Sequence, residues 1–541
     1  MSFWILLCHL LLAFHVNAAQ QQIIYRTIKV RGDATIATTN DDYVCATLDW
    51  WPADKCNYNQ CPWGDSSLFN LDINHPFLAS AIKAFNPLRI RLGGSLQDQL
   101  VYGTSNLGNS CLPFERMDDG LFGFSKGCLS LRRWDELNTL FQKTSAVVTF
   151  GLNALHGRHY IRHGVWGGAW NSTNARDFIR YTISKGYPVD SWEFGNELSG
   201  HGIGASVDAT VYGGDLIGLK SVLDDLYKNI SSKPLLLAPG GFYERQWYAQ
   251  LLESSGSGVV DAVTHHIYNL GGGDDPHLSN KILDPQYLNL VSDTYIDLQN
   301  IIQKHGPWAS SWVGEAGGAF NSGGRFISNT FLNSFWYLDQ LGMASKFNTK
   351  AYCRQTLIGG NYGLLDTKTF VPNPDYYSAL LWHRLMGKGV LSVDHNQSSF
   401  LRVYAHCSKE KAGISLVLIN LSNSTEFRIR IQKEMNGTNS MECETKKNVS
   451  FPHGSKKTTP CVGTESSDNL NKREEYHLTA KDGNLRSRTM LLNGRALQLT
   501  EFGQIPDLVP SHVDDDNSPI LASPLSIVFV VIPGFDVKAC P

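Results

Sequence analysis

Glu197 ends the stretch SWEFGNE (191–197) and Glu315 ends SSWVGE (310–315), and each stretch reads as a β-strand. Two carboxylates on two strands of one sheet are what hydrolysis of a glycosidic bond needs. One protonates the departing oxygen, and the other attacks the anomeric carbon or activates water. Either glutamate alone reads equally as an ion-pair partner or as a neighbour of a helix N-cap. Both, however, are flanked by Trp, Gly and Asn or Ala. Such neighbours permit close backbone approach and offer a face on which a sugar can stack.

Positioning the two acids requires a sheet. Eight β-rich runs, each followed by a loop and a helical stretch, lie at 44–49, 88–94, 146–153, 191–197, 234–241, 261–268, 310–315 and 351–357. Parallel strands need crossover helices and eight of them close a filled sheet, so the pattern predicts a (β/α)8 TIM barrel of the α/β class over residues 41–387. NARDFIRYTISKG (174–186) and NTFLNSFWYLDQLG (329–342) carry the helical spacing. From 388 to 541 strands occur without helices, as in FLRVYAHC (400–407) and SIVFVVIP (526–533), which predicts a C-terminal antiparallel β-sandwich. IIYRTIKV (23–30), within 19–40, is expected to join it as an N-terminal strand. Residues 436–485 are polar and read as a surface insertion that Cys443 and Cys461 could pin.

Composition is ordinary for a globular chain, and a net charge of −3 over 541 residues excludes a generally cationic surface. No nucleic-acid partner is expected. The N-terminal MSFWILLCHLLLAFHVNA has an apolar run too short for a bilayer, which needs about 20 residues. Residues 1–18 therefore read as a cleaved signal peptide, the alternative being a buried helix. Losing Cys8 with it leaves ten of eleven cysteines, an even number suited to disulfides in a secretory compartment. Asn171, Asn229, Asn396, Asn420, Asn423, Asn436 and Asn448 stand in Asn-x-Ser/Thr sequons. Secretion to the cell wall or the extracellular space is the expectation, with a vacuolar or lysosomal destination as the alternative. No transmembrane segment is expected.

SWEFGNE with WVGEAGGAF resembles the acid/base and nucleophile motifs of glycoside hydrolase family 79, the heparanases and β-glucuronidases, with the plant heparanase-like type nearest. LRIRLGGS (88–95), FGLNAL (150–155), VTHHIY (263–268) and RQTLIGGNYGLLD (354–366) extend the resemblance in order along the chain. It implies Glu197 as acid/base and Glu315 as nucleophile of a retaining enzyme without metal or organic cofactor. It further implies Asn196 on the sugar 2-hydroxyl, Tyr268 holding Glu315 with His266 nearby, Asp49 on sugar hydroxyls, Gly360 and Tyr362 on a uronate carboxylate, and a Cys407–Cys540 disulfide. From the residues alone, Asp49 is equally a strand-end cap, and His265 and His266 are equally buried barrel histidines. After Glu315 the chain departs from the animal members, with Phe320, Asn321 and Ser322 where they carry tyrosine and glycine.

The expected activity is exo-removal of terminal β-glucuronic acid, plain or 4-O-methylated, from cell-wall proteoglycan glycans or small glucuronides by a monomer. The alternatives are endo-cleavage of glycosaminoglycan-type chains and a non-catalytic carbohydrate-binding protein. HGRHYIRH (156–163) is either a cation cluster for an anionic substrate or a solvated loop, and it lacks the Cys and carboxylate partners of a zinc site.

Overall fold

Eight parallel strands close into a barrel in the order in which they occur along the chain. They are β1 (Val44–Leu48), β2 (Arg89–Leu92), β3 (Val147–Leu152), β4 (Ser191–Phe194), β5 (Leu235–Phe242), β6 (Ala262–Ile267), β7 (Ser310–Ala316) and β8 (Thr349–Arg354). The computed structural model describes residues 22–104, 111–394, 398–433, 472–515 and 518–540. The expected signal peptide, Asn396, Asn436, Asn448, Cys443 and Cys461 lie outside these residues. The strands are buried on both faces because helices cover the outside of the sheet, which is why their sequences read as continuous runs.

The crossover helices are α1 (Pro76–Lys83), α2 (Leu131–Thr144), α3 (Thr173–Ser184), α4 (Ala209–Leu226), α5 (Arg245–Ser255), α6 (Ser292–His305), α7 (Phe331–Lys346) and α8 (Pro374–Leu385). Helix α3 shows the rule that forms them: Ala175, Phe178, Ile179 and Thr182 make a stripe of helical period that is buried against the sheet. Phe178 meets Phe150 of β3 at a centroid distance of 5.1 Å, and Phe150 in turn meets Trp134 of α2 at 5.2 Å and Trp192 of β4 at 5.6 Å. Trp192 thus anchors from outside the strand that leads to Glu197.

Beyond α8 the chain forms a sheet folded into two packed layers. Strands Gly413–Asn420 and Ser526–Pro533 are buried on both faces. Val417, Ile419, Ile527 and Phe529 join the barrel core, while Leu416, Leu418, Val528 and Val530 face the second layer. The N-terminal strand Gln22–Arg31 lies in that second layer, parallel to Thr425–Lys433, so one pairing departs from the expected antiparallel pattern. The sheet thus ties the chain's two ends together. Arg473–Ala480 is also a strand, buried between Ser526–Pro533 and Met490–Leu492, although it falls inside the stretch expected to be an insertion. Its charges hid it: Glu474 is taken by Lys411, and Glu475 by Arg473 and His477.

Asn171, Asn229 and Asn423 are exposed. Asn420 is a correction. It is fully buried, and its Nδ2, the atom that would carry a glycan, donates to the carbonyls of Thr425, Ala522 and Ser523. A sequon records spacing, not access.

Among the described residues, four disulfides join Cys45 to Cys353, Cys56 to Cys61, Cys111 to Cys128 and Cys407 to Cys540. The first links partner positions on β1 and β8, where the barrel closes, across 308 residues. Removing it releases a long loop in the unfolded chain, so the double variant Cys45→Ala/Cys353→Ala is expected to lose about 2–5 kcal/mol. Scanning calorimetry at a fixed heating rate reads the loss, and an unchanged Tm would contradict it.

Candidate active site

At the C-terminal ends of the strands lies a cavity of about 520 Å³ that contains both glutamates, within the size range of sites for small ligands. Strand β4 stops at Phe194, so Glu197 stands three residues beyond it rather than closing it as expected. Its backbone is left-handed, with φ +54°, and is held there by its N–H to Gly240 O (2.7 Å) and by Ile203 N–H to its carbonyl (2.9 Å). Such a conformation in a non-glycine residue persists only where neighbours enforce it. Glu315 is in β7. The pairing of β6 with β7 runs from His265 opposite Val313 to His266 opposite Glu315, so Gly314 is an extra residue. That bulge re-aims the glutamate into the cavity.

The two acids sit in different surroundings. Both oxygens of Glu315 accept hydrogen bonds: Oε1 from the Tyr268 hydroxyl and Oε2 from Arg91 Nη1 at 2.9 Å. Burial and the nearby Glu315 push the Tyr268 phenol well up, so it stays a donor. Among the described residues, Glu197 has only His266 Nδ1 on its carboxyl, at Oε1 and 3.0 Å. Burial pushes its carboxyl up to about 7, against a weaker downward pull from Arg91. Burial lowers His266 to about 4, leaving it neutral, so a proton on Nδ1 can be donated to Glu197 Oε1. One oxygen of Glu197 lies within 4.8 Å of one of Glu315.

Arg91, on β2, organises the remainder. Buried to 1% side-chain exposure, it bonds Glu193 Oε2 (2.5 Å), Glu315 and, through Nη2, Asn196 Oδ1 (2.9 Å). Holding Oδ1 fixes the amide so that Nδ2, a donor, is turned away from the guanidinium. Asp98 bonds the backbone N–H groups of Asn196 and Ala154 at 2.8 and 2.7 Å and so fixes the β4 turn.

Asp49, one residue beyond β1, lines the cavity and accepts from Gln355 Nε2 (2.8 Å) and its neighbour Trp50 N–H (2.6 Å). It is therefore a strand-end cap and a cavity group at once. Burial, with Glu315 adding to it, pushes it up to about 7. Gly94 (φ +137°) passes so close that a Cβ there would lie 2.4 Å from Asp49 Oδ1. Tyr362 lines the cavity, but Gly360 does not: it lies behind the Tyr362 ring, where a Cβ would meet Cε2 at 2.7 Å. His265 turns outward, with Nδ1 on Trp312 O (3.0 Å) and its ring against Tyr295 of α6. Of HGRHYIRH, His159–Arg162 is an exposed hairpin strand, His156 is half-buried, and Arg158 is buried against Asp215.

Glu197, His266 and Glu315 form the one cluster among the described residues with metal-ligand spacing. Its donor atoms already serve one another, Arg91 and Tyr268. No cofactor is needed for two such carboxyls to act on a glycosidic bond.

A family model described as "Glycosyl hydrolase family 79, N-terminal domain" matches residues 25–342. Heparanase-like protein 1 of Arabidopsis thaliana is 58% identical over 521 residues, 96% of this chain and 95% of that protein. The chain belongs to glycosyl hydrolase family 79. Baicalin-beta-D-glucuronidase of Scutellaria baicalensis is another relative, 40% identical across 92% of this chain and 90% of its own. Among solved structures, a 4-O-alpha-L-rhamnosyl-beta-D-glucuronidase from Fusarium oxysporum superposes with a TM-score of 0.61 at 15% identity, covering 94% of this chain and 100% of that one. An alpha-L-arabinofuranosidase from Thermotoga maritima does so at 0.59 and 13%, covering 94% and 99%. At that identity they speak for the barrel-plus-sheet fold, which this family 79 chain shares. No helix among the described residues is long and apolar enough to cross a membrane.

Arg91, Glu193, Asp98 and Gln355 were not singled out in the sequence. The signal for Arg91 was present in LRIRLGG: two cations at alternate positions of an otherwise apolar barrel strand must find buried partners.

The raised carboxyls have a linked cost. Asp49, Asp98 and Glu197 each move up to about 7. The folded state therefore binds more protons than the unfolded chain between about pH 4 and pH 7, and stability falls across that window as pH rises. Glu197→Gln and Asp49→Asn, which cannot ionise, should each be more stable than wild type at pH 7, by on the order of 1–3 kcal/mol, and gain little at pH 4. Thermal melts at the two pH values test this, and a gain that does not depend on pH would contradict it.

Proposed function

We propose that this family 79 chain is a retaining, exo-acting β-glucuronidase. The observation that carries the proposal is that one oxygen of Glu197 lies within 4.8 Å of one oxygen of Glu315. Retaining pairs stand about 5–5.5 Å apart, whereas inverting pairs leave about 6.5–9.5 Å for a water. Glu315 attacks the anomeric carbon, its orientation set by Tyr268 and Arg91. Glu197, protonated below about pH 7, gives its proton to the leaving oxygen. The emptied Glu197 carboxylate then takes a proton from the water that hydrolyses the glycosyl-enzyme. Asn196 Nδ2 donates to the 2-hydroxyl, a bond that strengthens as charge develops at the anomeric centre. Asp49 and Gln355 accept and donate to other hydroxyls, and Tyr362 donates to the uronate carboxylate.

The exo preference is supported by the cavity's walls. The loop after β1 contributes Trp51, Asn57 and Trp63, is clipped by Cys56–Cys61, and is tied to the loop after β7 by Trp63 Nε1 to Ser322 Oγ (2.9 Å). Among the described residues that line the cavity, Lys55 is the one lysine or arginine. A sulfated glycosaminoglycan threading a cleft calls for cations on both sides of the scissile bond. The 40% identity to baicalin-beta-D-glucuronidase also favours a terminal glucuronide, whereas heparanase of Bos taurus is 29% identical over 77% of this chain. The substrate is a carbohydrate glucuronide acted on outside the cytosol by a monomer.

The purified enzyme should hydrolyse an aryl β-glucuronide and leave the chain length of heparan sulfate unchanged on size exclusion. Its kcat/KM should fall as pH rises through about 7, because the acid form of Glu197 is the active one. Glu197→Gln should lose that basic limb and about 10²–10⁴-fold in rate on substrates with poor leaving groups. Shortened heparan sulfate would overturn the exo assignment, and a limb that persists in Glu197→Gln would overturn the role of Glu197.

A further inference from the structure

The cavity presents three carboxyls, Asp49, Glu197 and Glu315, to a substrate that the reading above takes to be an anion. A carboxylate that leaves water for such a cavity needs a charge partner of its own. Arg91 is committed to Glu193, Glu315 and Asn196 beneath the cavity floor. Lys55 is differently placed. It is half-buried on the loop after β1, its ammonium 4.0 Å above the Trp51 ring, and both side chains line the cavity. Among the described residues that ammonium makes no ion pair and no hydrogen bond. The adjacent acid, Asp54, is already taken by Arg116 at 3.1 Å. Burial pulls Lys55 below the ordinary lysine value, and Asp49 across the cavity pushes back.

The loop is built to keep it there. Lys55 N–H closes a turn onto Pro52 O (3.0 Å), and the Cys56–Cys61 disulfide follows immediately. A half-buried cation held on a ring face without an anion is incompletely satisfied, and an arriving carboxylate would complete it with a charge-assisted hydrogen bond.

We propose that Lys55 is the specificity-determining residue for the anionic sugar: it pairs with the C5 carboxylate of the bound glycone and so separates uronosides from neutral glycosides. This deepens the β-glucuronidase proposal and rests on it.

The test measures competitive inhibition of aryl β-glucuronide hydrolysis by phenyl 1-thio-β-D-glucuronide and by its uncharged carboxamide. Wild type should prefer the acid. Lys55→Met, which keeps the length of the chain over Trp51, should reduce that preference about 10- to 100-fold, while Lys55→Arg should keep most of it. Equal melting temperatures for the three proteins would exclude a folding effect. A preference that survives intact in Lys55→Met overturns the role of Lys55 and leaves the glucuronidase proposal standing. A wild type that binds neither ligand and hydrolyses no glucuronide overturns both.

Discussion

A guanidinium buried in the barrel touches two carboxylates and an amide, and the rest of the site depends on it. Arg91 bridges Glu193, Glu315 and Asn196 at 2.5, 2.9 and 2.9 Å. Removing one partner from such a group leaves an uncompensated charge that costs about 3–5 kcal/mol, so the members hold one another in place. The same contact sets a catalytic geometry. It aims one oxygen of Glu315, leaves the other to Tyr268, and turns the donor end of Asn196 away from the cation. The barrel supplies the rigidity, because Arg91 and Glu193 lie on β2 and β4 and Glu315 on β7.

Division of labour between the two acids follows from what each touches. Glu315 receives two donors, one of them a cation. Glu197 receives one neutral ring and is otherwise buried, and its proton is retained up to about pH 7. Two carboxyls whose surroundings differ in this way can act as nucleophile and acid at one pH. The geometry that brings them together relies on irregularities, not on ideal strands. A bulge at Gly314 and a left-handed residue at Glu197 each depart from the regular barrel at the point where a side chain must be redirected.

Much of this was legible in the sequence. Buried parallel strands read as apolar runs, so all eight were visible, and the strand-end rule led from them to Glu197 and Glu315. What escaped depends on convergence in space. Arg91, Asp98 and Gln355 are polar residues whose side-chain partners lie 56 to 308 positions away, and no local pattern connects them. Strand Arg473–Ala480 was hidden because REEYHLTA reads as a charged surface run, whereas Glu474 pairs with the distant Lys411 and Glu475 with Arg473 and His477 of its own strand. The sequon at Asn420 was legible as spacing but silent about burial. Tyr362, expected on a uronate carboxylate, lines the cavity, whereas Gly360, expected beside it, matters for the room it leaves behind that ring.

The central claim is that Glu315 forms a covalent bond to the sugar while Glu197 exchanges the proton. The most direct test is trapping with 2-deoxy-2-fluoro-β-D-glucuronyl fluoride, whose fluorine slows both steps and whose leaving group needs little acid help. Intact-protein mass spectrometry should show one added glycosyl unit, and peptide mapping should place it on Glu315. A label on another residue, or no adduct together with release of the α-anomer as first product, would contradict the account.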